Sequence, residues 1–236
     1  MQLALFKPGR GDEERLVARY RVLREASRQV HARLTKVISK GALFKCARRL
    51  GIPFEDNTLV LEAEGELQVL YDYCIYDYRE PPGKGQRLTA VERLLRMSPP
   101  PEGSDELIVL RASAAARYCI VVGKEVVPGV GVEVWDVLRK QSFFLTDVGL
   151  SESAVVGWPL AARIISPEGI HMTTGAALPL PDRDTALDVI AGLEEELGDR
   201  LLGGADALTL AEKACLSATI IHAALAHDAA SKIAYV

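Results

Sequence analysis

The chain has 236 residues, of which 49% are apolar and 25% charged, with a formal net charge of −4. That balance excludes an intrinsically disordered chain, and the length suffices for one large domain or two small ones with a real core. Its longest apolar stretches stop well short of the ~18 residues that a membrane span needs. The opening MQLALFKPGR carries too short an apolar run for a signal peptide.

Charge is distributed unevenly along the chain. Residues 1–50 hold 13 Lys/Arg against 4 Asp/Glu, a net +9, whereas the other 186 hold 15 against 28, a net −13. Such a split implies either a basic surface for an anionic partner or a basic helix packed on an acidic body. The second is favoured, because the two parts share one chain at high effective concentration.

In chain order, Leu16, Tyr20, Leu23, Ser27, Val30, Leu34 and Val37 recur at alternating spacings of four and three. They predict one amphipathic helix from about Asp12 to Ile38 whose stripe needs a partner surface. Its other faces carry Arg15, Arg19, Arg21, Arg24, Arg28 and Arg33. These would repel across a close parallel dimer, so packing within the chain is expected, with an antiparallel homodimer as the alternative. Ser39 is placed to cap a second helix, KGALFKCARRL, which Gly51 ends as a C′ residue with Pro53 beyond. Thr58 to Glu62 reads as a short strand. Leu67, Leu70, Tyr71, Cys74 and Tyr78 follow helical spacing in ELQVLYDYCIYDY. PPGKGQ is a loop, LTAVERLLRM a helix and SPPPEGSD a break. ELIVLRASAAARY predicts a further helix, although LIVL also suits a strand.

From Tyr118 to Pro181 the period changes to that of strands. YCIVVGKEVV, GVEVWDVL, SFFLTD, PLAARIIS and HMTTGAALPL are apolar runs of strand length joined by Gly/Pro turns, with PGVG as a hairpin connection. They predict a small β-barrel or a curled antiparallel sheet. After Pro181 the pattern is helical again: Asp182 or Asp184 caps TALDVIAGLEEEL, and a longer helix covers Leu208 to about Ala229. The expected fold is α+β, with a mainly helical region at 1–117, the β-module at 118–181 and C-terminal helices at 182–236.

Few residue patterns carry chemistry. ISKGALFKCARRLGI resembles the first helix and turn of a helix-turn-helix, with Lys40, Lys45, Arg48 and Arg49 towards phosphates. The segment that would supply the reading helix, PFEDNTLVLEAEGE, is acidic and would be repelled by DNA. Asp72 and Asp77 in YDYCIYDY lie five residues apart, about 140° around a helix, which is poor geometry for a shared site. His31, His171, His222 and His227 form no i,i+4 pair and have no cysteine at a ligand spacing, so a zinc site from local ligands is excluded. Cys46, Cys74, Cys119 and Cys215 are scattered in apolar contexts and read as core residues of a reducing, cytoplasmic environment. Ser151 and Ser153 lack the strand–elbow–helix setting of a nucleophile. No nucleotide-binding glycine motif is present, so no cofactor is expected. Asp136, Asp147 and Arg163 sit among apolar strand residues; if they point inward they must be paired.

Taken together, the helical lead-in, RYCIVVGKEVVPGVGVEVWDVL and the later LAARII…HMTTGAALPLP resemble an uncharacterised bacterial protein family, mainly over Leu94 to Pro181. Some relatives in that family carry a cysteine-rich SEC-C metal-binding tail. This chain ends in LAHDAASKIAYV without clustered cysteines, so no metal-linked role is carried over. The resemblance supports the organisation and implies no substrate. The expected function is that of a non-catalytic binding or adaptor protein whose β-module meets a protein partner. The alternative is nucleic-acid binding through Arg21, Arg24, Arg28, Lys45, Arg48 and Arg49, and a second alternative is an enzyme whose site is assembled from distant residues.

Overall fold

A computed structural model of the chain describes residues 10–56, 58–80, 87–180 and 183–232; the PPGKGQ loop and the Asp182 cap lie outside them. Helix α1 (Arg10–Lys36) is followed by α2 (Lys40–Leu50), a two-stranded hairpin of β1 (Phe54–Glu55) and β2 (Thr58–Leu59), and then α3 (Glu64–Tyr76), α4 (Ala90–Met97) and α5 (Asp105–Ala114). A six-stranded sheet comes next, with β3 (Arg117–Val127), β4 (Gly131–Asp136), β5 (Gln141–Thr146), β6 (Pro159–Ile165), β7 (Met172–Thr173) and β8 (Leu178–Pro179). One short helix, α6 (Val148–Ser153), interrupts it, and α7 (Arg183–Leu197) and α8 (Leu210–Ala226) close the chain. The class is α+β, as the change of period predicts. LIVL is helical, within α5.

Local chemistry explains the helix ends. Ser39 Oγ accepts from Ala42 N–H at the start of α2, and Gly51 ends that helix at φ 78°, a left-handed conformation that favours glycine. Capping boxes open α4 (Thr89 with Glu92) and α8 (Thr209 with Glu212). In α1 the acidic first turn and basic last turn complement the helix dipole. Its stripe of Tyr20, Leu23, Ser27, Val30 and Leu34 is buried in a cluster with Ile75, Val91, Leu94, Val109 and Leu110, while Val37, just past the helix end, is exposed. Arg19 bridges to Asp105 and Glu168, each at 2.7 Å, and Arg33 donates to the Ser98 carbonyl at 2.8 Å. The basic helix therefore packs within the chain, its stripe on an apolar cluster and Arg19 between two acidic side chains.

The strand order is β5-β4-β3-β6-β7, every pair antiparallel, with β8 pairing the other end of β6. The sheet curls far enough that its two edges meet. Leu145 on β5 forms a parallel bridge to His171, and Thr146 N–H donates to the His171 carbonyl at 2.8 Å. The result is a half-barrel closed at one end. Gly131 belongs to this curl, since a Cβ there would stand 2.1 Å from the Leu145 carbonyl oxygen. Alternation along β3 gives the sheet two covered faces. Cys119 and Val121 point into the half-barrel with Val132, Val134, Leu145 and Ile164, whereas Tyr118, Ile120 and Ala161 join the core formed with α2, α3, α7 and α8.

The packing of α1 generates the first prediction. Leu23→Asp with Val30→Asp places two unpaired charges in a closed core, each costing several kcal/mol. Thermal unfolding of the double variant should begin far below that of the wild type. An unchanged melt accompanied by a shift from dimer to monomer on size exclusion would mean that the stripe is an intersubunit seam.

Candidate functional site

The half-barrel is incompletely filled. A cavity of about 640 Å³ lies between its inner face, helix α1 and the segment around α6. Its floor is Val121, Val132 and Val134, each fully buried, continued by Leu160 and Ala177. Val155 and Trp158, 50% and 57% exposed, form the mouth. Small residues keep the space open, among them Gly123 beside a register shift in β3 and Gly175 at φ 108°. The segment from 174 to 177 departs from β6 between β7 and β8, so the edge of the sheet does not fold over the cavity.

Four polar side chains lie deep in this wall. Asp147, the residue before α6, accepts from Leu150 N–H at 3.1 Å and from the Thr173 hydroxyl at 2.9 Å. Tyr20 lies against it, and burial, with the Asp147 charge adding to it, pushes the phenol pKa up to about 12. Arg24 donates to the Thr173 carbonyl at 2.6 Å. Arg21 and Arg28 line the same cavity from the solvent side. Arg28 is bonded to Glu25 at 3.3 Å, and Arg21 has no bonded partner among the described residues.

The sequence leaves open whether three strand-segment charges face inward, and the structure buries all three, pairing Asp136 and Arg163 with opposite charges and hydrogen-bonding Asp147 to neutral groups. Asp147 is bonded as above. Asp136 is fully buried, accepts from the backbone N–H groups of Leu138 and Arg139, and pairs with the Arg139 guanidinium at 3.1 Å. Arg163 sits between the rings of Tyr76 and Tyr118, 4.8 and 5.1 Å from their centroids. Its Nε donates to Asp72 at 2.7 Å and its Nη2 to Asp77, while Thr174 Oγ1 also donates to Asp72. The spacing that the sequence reads as poor geometry for a shared site nevertheless brings Asp72 and Asp77 to one guanidinium. Asp77 is the C-cap of α3, and a planar guanidinium offers donors on separate edges, so the carboxylates need not share a helix face. Desolvation pushes the Asp77 pKa up to about 6.

The other anticipated residues are dispersed. Lys45 is exposed, the Arg48 guanidinium lies over Phe54, and Arg49 bridges to Glu196 at 3.5 Å, so none of the three joins the α1 arginines in the cavity wall. After α2 the chain enters the β1–β2 hairpin, and α3 then buries Val69, Leu70, Asp72 and Tyr73, so the order of a helix-turn-helix is absent from this segment. Ser151 is buried, donating to the Val148 carbonyl and accepting from Gly129 N–H. His171 Nδ1 lies 2.6 Å from Ser166 Oγ, while burial first and then Arg117 lower the ring's pKa. Among the described residues no group of three or more His, Cys, Asp and Glu is placed to hold a metal, and no helix is long and apolar enough to cross a membrane. Sequence reasoning did not single out Tyr20, Thr173 and Trp158 as neighbours of one cavity. The one available signal was an exposed-type aromatic in the turn GWP.

The chain belongs to a family of unknown function (DUF7986), whose model matches residues 14–186. No curated protein and no solved structure matches it.

Two predictions follow from Arg163. Arg163→Met strands two buried carboxylates and should lower the unfolding free energy by ~3–5 kcal/mol in urea titrations. The second concerns pH. The Asp77 pKa is above its ordinary 3.8 in the folded protein, so the native state holds that proton more tightly. Its stabilising contribution is complete below about pH 4 and is lost as pH rises through about 6. Asp77→Asn lacks this loss, so its stability relative to wild type should rise between pH 4.5 and 7; parallel pH profiles would refute the assignment.

Proposed function

We propose that this is a non-catalytic binding protein that holds a small, largely apolar molecule between α1 and the half-barrel. The observation that carries the reading is the cavity itself. Small barrels ordinarily fill their interior with side chains or hold one small ligand. Here a floor of fully buried valines faces an unfilled space of about 640 Å³. That volume lies within the ~300–1,000 Å³ typical of ligand sites. The deep polar groups Asp147 and Thr173 are bonded to each other and to the backbone, so an apolar occupant would leave neither unpartnered. Trp158 and Val155 extend the apolar surface outward at the mouth. The binding role expected from the sequence is retained; the occupant is a small molecule in place of a protein.

The test uses the neutral fluorophore N-phenyl-1-naphthylamine with the full chain. Wild type should show saturable, one-to-one enhancement of the dye. Ala177→Phe, which projects a ring into the cavity, should weaken binding by at least about tenfold, or ~1.4 kcal/mol, with an unchanged circular dichroism spectrum. Absence of saturable binding by wild type, or equal binding by the variant, would dismiss the reading.

A further inference from the structure

Resting on the cavity as a ligand site, we infer that its occupant is a monoanionic amphiphile, a medium- to long-chain carboxylate. The head is held by Arg21, Arg24 and Arg28 and the chain lies on the valine floor. Helical geometry brings the arginines to one face of α1, with Arg28 about 20° and Arg24 about 60° around the axis from Arg21. All three line the cavity. Arg24 is oriented by the Thr173 carbonyl at 2.6 Å, and its Nη2 stands 3.5 Å from where a Cβ on Gly175 would be, so the glycine leaves room for the guanidinium. Arg21 is without a bonded acceptor among the described residues, and Arg28 has only the solvent-exposed Glu25 at 3.3 Å. Arginine at such a position offers paired N–H donors that fit a carboxylate.

Charge count and depth select the ligand. Three guanidinium groups and one carboxylate, Asp147, line the cavity, and Glu25 outside it offsets Arg28. One positive charge remains, which matches a monoanion better than the dianion of a phosphate monoester. Asp147 is buried and the exposed Arg21 and Arg28 are at the solvent side. An anionic head is therefore repelled from the deep end and attracted to the mouth, which sends the chain inward over Val121, Val132 and Val134. The same arginines were candidates for phosphate contacts from the sequence. Their apolar surroundings favour an amphiphile over a nucleic-acid backbone.

Displacement of N-phenyl-1-naphthylamine at pH 8 tests this, with dodecanoate, dodecan-1-ol, dodecyltrimethylammonium and dodecyl phosphate as competitors below their micellar concentrations. Dodecanoate should displace the dye at about tenfold lower concentration than the alcohol or the cation, a preference that salt weakens. In R21Q/R28Q, which alters two exposed side chains, that preference should disappear while displacement by dodecan-1-ol is unchanged. Equal displacement by dodecanoate and dodecan-1-ol, or a preference that survives in R21Q/R28Q, would overturn the inference and leave the cavity reading intact. Tighter binding of dodecyl phosphate would overturn the choice of a monoanion. No binding of the dye would remove the cavity reading together with the inference.

Discussion

A guanidinium held out of water between a helix and a sheet constrains everything around it. Arg163 projects from β6 on the face away from the half-barrel interior, where a lone charge would be prohibitively costly. Asp72 and Asp77 meet it from α3, and the rings of Tyr76 and Tyr118 sandwich it. The register of α3 against the sheet is thereby set, because a displacement of one helical residue would separate the charges in a dry environment. Tyr118 is also the cross-strand partner of Arg163, so the same cluster ties β3 to β6. Buried ion clusters of this kind contribute little net stability compared with apolar packing, yet they tolerate few alternative arrangements.

The cavity is a consequence of that seating. With the outer face of the sheet committed to α3 and α8, the inner face is left to close on itself. It does so only at the Leu145–His171 bridge. Over the remaining opening lies α1, anchored through its stripe on α3, α4 and α5 and through Arg19 to Asp105 and Glu168. The helix meets the sheet at its β6–β7 edge, through Ile165, Met172 and the Arg24–Thr173 bond, and is otherwise held by α3, α4 and α5. It therefore covers the half-barrel without filling it, and it presents to the space Tyr20 at the margin of the buried stripe and the arginine face beside it.

The uneven charge of the chain acquires two meanings in this arrangement. Arg19, Arg33 and Arg49 are used within the fold, against Asp105, Glu168, the Ser98 carbonyl and Glu196. Arg21, Arg24 and Arg28 are turned towards the cavity instead. Arg19 of α1 and Arg49 of α2 thus neutralise acidic side chains elsewhere in the fold, whereas Arg21, Arg24 and Arg28 of α1 lend their charge to the cavity.

What the sequence by itself determined is local. The 3.6-residue stripe of Leu23, Val30 and Leu34 specified α1 and its buried face. Ser39 and Gly51 marked the ends of α2, and the change to strand period after Tyr118 announced the sheet. Each of these depends on neighbours within a few positions, where spacing and backbone preference act directly. The helix α6 escaped notice because GLSES is too short to show a period, and HMTTGAALPL divided into two short strands because Thr174 turns away to bond Asp72. Only the tertiary structure decided that Asp72 and Asp77 converge on Arg163, or that Tyr20, Asp147 and Thr173 share one wall. Asp72 and Asp77 lie 91 and 86 positions from Arg163, and even Asp147 and Thr173 are 26 apart, and no local pattern encodes which buried charge meets which. Burial requires that each charge find a partner; only the packing of α1 and α3 on the curled sheet selects the partner it finds.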